Sequence, residues 1–248
     1  MLIAFCGIDG SGKSTHVEFL AEWLSRQQLK VKRFKPINSD NDFLTYLQTI
    51  GKNYSDLYNE AMPREHRSIL LAFELFQQSE AVKKWLAEDY IVVVDRWIYS
   101  HYAYAYARNI ETKTLHAILD SCLKPDLVFL LDVPVDTSLQ RIDERGPKRS
   151  MNESEAILEK ARERFLQLKD AHQFILLNTA EPLDEIINRI QNEVGHRLKV
   201  RVETSGGDLD ARSTYRTSCF PTYSRFYIRE RHRLFGRVYH RGLRECHF

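Results

Sequence analysis

The sequence predicts a three-layer α/β sandwich with a five-stranded parallel sheet, and two observations carry that expectation. Five short apolar runs recur in the first 198 residues: "LIAFC" (2–6), "KVKRF" (30–34), "YIVVVD" (90–95), "LVFLLD" (127–132) and "FILLN" (174–178). Longer amphipathic stretches separate them. Strands apolar on both sides belong to a parallel sheet covered by helices on each face, because a strand with one wet face alternates polar with apolar residues.

The first strand runs into "GIDGSGKST", residues 7–15, and a helical stretch over 14–27 follows. The spacing G-x-x-x-x-G-K-S from Gly7 to Ser14, between a strand and a helix, is that of a phosphate-binding P-loop. Glycines at 7, 10 and 12 let backbone N–H groups turn toward an anion, and the helix N-terminus adds partial positive charge. Gly7, Asp9, Gly10, Ser11, Gly12, Lys13, Ser14 and Thr15 are therefore expected to hold the nucleotide. Lys13 serves as a point charge on the outer phosphates, Ser14 as a hydroxyl ligand to Mg²⁺, and Thr15 as support for the inner phosphates. ATP or GTP is the implied ligand, and the fold class narrows to a P-loop NTPase sandwich.

A helix is expected over 67–87, and the third strand then ends in "VVVDRW". A GTPase would carry an N-K-x-D guanine clamp, and no "NK" occurs in the chain. Hydrolytic ATPases close this strand with Asp-Glu, where the glutamate polarises water. Here Arg96 follows Asp95, and an arginine beside the phosphates suits transfer to a bound acceptor, since it neutralises charge on the moving group.

"WIYSHYAYAYAR" (97–108) repeats tyrosine at every second position, as a strand would. With no turn residues after the preceding strand, a helix is favoured. It gathers Trp97, Ser100, Tyr104 and Arg108 on one face, with His101 beside them, a set suited to a nucleoside monophosphate. After the fourth strand, "LQRIDERGPKR" sets Arg141 and Arg145 four apart, and Gly146-Pro147 breaks the helix before Lys148 and Arg149. Arg141 and Arg145 read as a lid closing over the phosphates. Helices over 134–145, 153–169 and 183–194 complete the layers.

The chain divides at residue 198. Residues 201–248 hold ten arginines, five acids and no lysine, a balance of +5, so a total of +2 leaves the first 200 residues at −3. This basic extension mixes arginine with aromatics and has no sustained period. A solvated appendage is the favoured reading, and a nucleic-acid grip using Tyr223, Phe226 or Tyr239 is the alternative. Four scattered cysteines fit reduced thiols, the apolar runs are too short for a membrane span, and the start lacks a secretion signal. A cytoplasmic address is expected.

"GIDGSGKST", "DRW-x-x-S-x-x-A-Y", "PDLVFLLDVP" and "RERFLQL", in that order, make residues 1–198 resemble the thymidylate kinase family, which phosphorylates dTMP with ATP. The resemblance implies that Asp9 contacts the acceptor sugar, that Asp95 holds Mg²⁺ or the reacting phosphates, and that Arg96 bridges donor and acceptor phosphates. It places Trp97 against the deoxyribose, Ser100 and Tyr104 on the base side, and Arg108 at a basic position. Glycine at position 10 implies that the catalytic arginine comes from the lid, as Arg145 or Arg149. The chain departs from the family pattern twice. "RFKPINSD" leaves Lys35 or Arg33 for the acceptor phosphate, and "LLAFELFQQSE" offers Phe73 and Phe76 but no arginine to the base. The alternatives are a deoxynucleoside kinase with Glu74 as base, and an ATPase directed by nucleic acid through the tail. A homodimer is left open.

Overall fold

The computed structural model describes residues 1–36, 63–110, 112–146 and 153–198. Five strands form one sheet: β1 (Leu2–Cys6), β2 (Val31–Phe34), β3 (Ile91–Asp95), β4 (Leu127–Asp132) and β5 (Ile175–Asn178). Their order is β2-β3-β1-β4-β5 and every pairing is parallel. The described helices are α1 (Lys13–Arg26), α2 (Arg64–Ala87), α3 (Ile98–Ala107), α4 (Lys113–Ser121), α5 (Val135–Glu144), α6 (Glu155–His172) and α7 (Leu183–Leu198).

Alternate residues of β1 feed two separate cores, which is why its five apolar residues never alternate with polar ones. Ile3 and Phe5 face α1 and α7, meeting Val17, Leu20, Leu24, Ile186, Ile190 and Val194. Leu2, Ala4 and Cys6 face the opposite layer, where α2, α3, α4, α5 and α6 contribute. Phe5 stacks on Phe129 with ring centroids 5.1 Å apart, tying the two central strands on the α1 side. Burying a side chain of this size contributes about 2–3 kcal/mol.

The expected three layers and all five strands are present. The tyrosine-rich stretch is a helix, and nearly all of α3 is buried, with tyrosines on both of its sides. Period-2 tyrosine therefore reflects a helix packed all round. One element was not anticipated: α4, whose N-cap Thr112 accepts from the Leu115 amide at 3.1 Å while Leu115 and Leu119 pack inward. Helix α2 begins at Arg64, one turn before the expected 67. Lys148, Arg149 and the extension with Tyr223, Phe226 and Tyr239 lie outside the described residues. No described helix is long and apolar enough to cross a membrane.

Candidate functional site

In this sheet order the chain leaves β1 toward one edge for β2, and later continues from β3 to β4 on the other side of β1. The loops after β1 and β3 consequently splay apart above the strand ends, the position where open α/β sheets hold ligands. The glycine loop follows β1. Gly10 has φ 77°, and a Cβ there would lie 2.5 Å from the Ser138 carbonyl. Ser138 holds the loop from α5, donating its hydroxyl to the Asp9 carbonyl at 2.5 Å. Gly12, at φ 85°, is the left-handed residue from which α1 starts. Ser14 and Thr15 are exposed on the first turn of α1, at the helix N-terminus that favours an anion.

Lys13 folds over this loop. Its ammonium donates to the Ile8 carbonyl at 2.6 Å and to the Ser11 hydroxyl at 3.3 Å, with 6% of the residue exposed. Burial, followed by the charge of Arg96, lowers its pKa to about 7 against the partial compensation of Asp9 and Asp95. The two carboxylates offset the burial of this ammonium only in part, and a polyphosphate is the kind of anion that would offset the rest.

The end of β3 completes the floor. Asp95 lies opposite Phe5 in the parallel register, one strand from the loop. Its Oδ2 accepts from the Ser14 hydroxyl at 2.5 Å and lies 4.0 Å from the Lys35 ammonium. Its Oδ1 is buried without a hydrogen-bond partner. A hydroxyl, a carboxylate oxygen and an unsatisfied lone pair at one point are hard-oxygen donors suited to Mg²⁺. Among the described residues no group of three His, Cys, Asp or Glu side chains could hold a metal ion. A cation here would complete its shell with phosphate and water oxygens.

Arg96 takes a left-handed backbone, φ 75°, while its amide donates to the Phe5 carbonyl at 3.0 Å. That turn aims its guanidinium back across β1, where it pairs with the Asp9 carboxylate. Tyr104 closes the group: its hydroxyl accepts from the Asp9 amide at 3.0 Å and donates to Asp9 Oδ2 at 2.9 Å. The guanidinium carbons of Arg96 and Arg108 lie 5.4 and 5.5 Å from the Tyr104 ring centroid. Burial alone would push the Asp9 carboxyl upward, but Arg96, Lys13 and the Tyr104 hydroxyl outweigh it and hold its pKa below the usual range. Asp9, Tyr104 and Asp95 together likewise outweigh the desolvation of Arg96, whose pKa lies above its ordinary value.

One residue expected at the acceptor stands elsewhere. Trp97 is 0% exposed; its indole N–H donates to the Leu123 carbonyl at 2.7 Å and its ring meets Phe34 edge-on at 6.0 Å. It braces α3 from the core. Phe73 is 45% exposed and neighbours Phe76, centroids 6.4 Å apart. Ser100 is buried beside the Cys6 thiol, which burial pushes up to about 12. On the donor side, Arg141 reaches the Thr179 carbonyl at 2.8 Å, the Thr179 hydroxyl at 3.3 Å and the Gly10 carbonyl at 3.4 Å. It thereby links the glycine loop to the segment after β5. Arg145 pairs with Glu153 at 2.6 Å. Ser138, Thr179 and Glu153 had not been anticipated: Ser138 and Thr179 act through contacts 129 and 38 positions away, Glu153 through one 8 positions away, and none belongs to a motif.

A family model described as thymidylate kinase matches residues 5–190. The "Probable thymidylate kinase" of Archaeoglobus fulgidus is 31% identical over 202 residues, covering 81% of this chain and 98% of that protein. The "Probable thymidylate kinase" of Thermococcus onnurineus is 31% identical over 206 residues, covering 81% and 100%. The "Thymidylate kinase" of Thermosipho africanus is 30% identical over 205 residues, covering 80% and 100%.

Proposed function

The chain belongs to the thymidylate kinase family, and on that footing we propose that it moves the γ-phosphoryl group of Mg-ATP to dTMP through the side chains gathered at the ends of β1 and β3. The observation that carries this reading is the convergence of Lys13, Asp9, Asp95 and Arg96 at the ends of two paired strands.

The glycine-loop amides and Lys13 bind the donor phosphates. Ser14 and Asp95 hold Mg²⁺, which when bound neutralises charge on the donor and fixes its reacting geometry. Arg96 and Lys35 flank Asp95 and receive the acceptor phosphate. Tyr104 and Asp9 set the acceptor sugar and position Arg96, and Arg141 steadies the donor nucleotide. Arg145 and Arg149 close from the lid. A fixed array of cations aimed at the transferring group accounts for catalysis without covalent chemistry by the protein. The reaction involves no membrane, and its place of work is proposed to be the cytoplasm. The extension beyond residue 198 is proposed as a solvated appendage, outside the matched family region.

Chromatography of reactions containing Mg-ATP and either dTMP or thymidine tests the proposal. Formation of dTDP from dTMP is expected. Phosphorylation of thymidine alone would replace it with a deoxynucleoside kinase, and ATP turnover that needs DNA or RNA would replace it with a nucleic-acid-directed ATPase.

A further inference from the structure

Asp9 joins the two halves of the site, and each half holds a different part of it. On the acceptor side, the Tyr104 hydroxyl accepts from the Asp9 amide at 3.0 Å and donates to Oδ2 at 2.9 Å, while Arg96 pairs with Oδ1. On the donor side, α5 takes the other end of the residue: the Ser138 hydroxyl, on a residue 0% exposed, donates to the Asp9 carbonyl at 2.5 Å. Ser138 and Arg141 stand three apart on one face of α5. Arg141 reaches the next carbonyl, that of Gly10, at 3.4 Å, and the Thr179 carbonyl beyond β5 at 2.8 Å.

A residue has two soft backbone torsions, because the peptide units on either side of it are planar. Tyr104 holds the unit before Asp9 by its amide, and Ser138 holds the unit after it by its carbonyl. The chain restrains that second unit little by itself. Gly10 follows at φ 77°, and glycine moves freely among conformations closed to other residues. A side chain at position 10 could not take over the restraint, since a Cβ there would lie 2.5 Å from the Ser138 carbonyl. The direction of the Asp9 carboxylate, and with it the seat of Arg96, therefore depends on a hydroxyl 129 positions away in sequence.

We propose that Ser138 is a positioning residue for phosphoryl transfer: by holding the 9–10 peptide from α5, it aims the Asp9 carboxylate that aligns Arg96, and so ties the geometry of the donor loop to that of the acceptor seat. This inference rests on the reading of the site as a nucleoside monophosphate kinase. Ser138 touches neither nucleotide in this scheme and acts through Asp9 alone. Without its hydroxyl the Asp9 carbonyl loses this donor, the torsion between Asp9 and Gly10 loosens, and the guanidinium spends less time aligned with the moving phosphoryl group. The contact is one neutral hydrogen bond, so its effect on rate is graded.

Steady-state kinetics of the full chain with Mg-ATP and dTMP test this in wild type, Ser138→Ala, Arg96→Ala and the double variant, with melting curves on each. Alanine is a strong helix former, so Ser138→Ala retains α5. It is expected to lower kcat about 3- to 10-fold, the worth of one neutral hydrogen bond, with the KM for ATP nearly unchanged. In the Arg96→Ala background the same substitution should cost nothing further, because the cation it aligns is gone; such non-additivity marks residues that act as a unit. With dTMP still turned over by wild type, three results overturn this inference alone: equal losses of kcat in both backgrounds, an unchanged kcat in Ser138→Ala, or a loss confined to the KM for ATP. Absence of dTDP formation by wild type overturns the kinase reading and this inference with it.

Discussion

At the level of single side chains, Lys13 makes the site sensitive to pH. Burial, and Arg96 after it, lowers its pKa from 10.5 to about 7 in the folded chain. Between those values the unfolded chain binds more protons than the folded one, so the contribution of this group to stability rises with pH across that window. Below about 7 both states are charged and the burial penalty is fully present. Triphosphate beside the ammonium restores the charged form, so ATP binding at pH 8 should take up a fraction of a proton approaching one. Calorimetric titration in two buffers of different ionisation enthalpy measures it, and Lys13→Met should abolish the uptake. Arg96 bears on rate instead. Arg96→Ala should lower kcat by about 10²- to 10³-fold, as loss of a preorganised charge partner does, and a near-normal turnover number would remove Arg96 from its assigned role. Both residues were legible in the sequence because their neighbours, a glycine loop and a strand-ending aspartate, occur in local motifs.

At the level of elements, the strand–loop–helix unit tolerates little change. Gly10→Ala sets a Cβ against the Ser138 carbonyl and strains a backbone at φ 77°. It should cost about 1–3 kcal/mol and weaken ATP binding, and a melting curve with and without nucleotide reports both. Trp97→Ala should destabilise by about 3–5 kcal/mol as a core truncation, visible in urea unfolding. A selective rise in the KM for dTMP at unchanged stability would instead return Trp97 to the cleft. The motif alignment that put Trp97 near the sugar could not show which way the first residue of α3 turns. That direction is set by the Leu123 carbonyl and Phe34, far away in sequence. Helix α4 had a readable start in its Thr112 cap and Leu115, yet it lies between two louder signals, the tyrosine run and the fourth strand.

On the scale of the whole molecule, five parallel strands were foreseeable from continuous apolar runs, but their order was not. Nothing local in "LIAFC" says that β3 and β4 both pair with it, and this pairing is what brings Asp95 beside the glycine loop. The Asp9–Arg96 pair spans 87 positions and likewise needed three dimensions. The family match ends at residue 190. A chain cut after Leu198 should therefore melt within a few degrees of the full chain and retain dTMP turnover. Loss of either would give the arginine-rich segment a part in the fold or the reaction.

The engagement of Arg96 by Asp9 has one more effect. With the acceptor seat empty, the guanidinium that would calm a departing phosphoryl is already occupied, so a stray water molecule attacking ATP meets little help. Idle breakdown of the nucleotide should therefore stay slow until a second nucleotide arrives beside the pair.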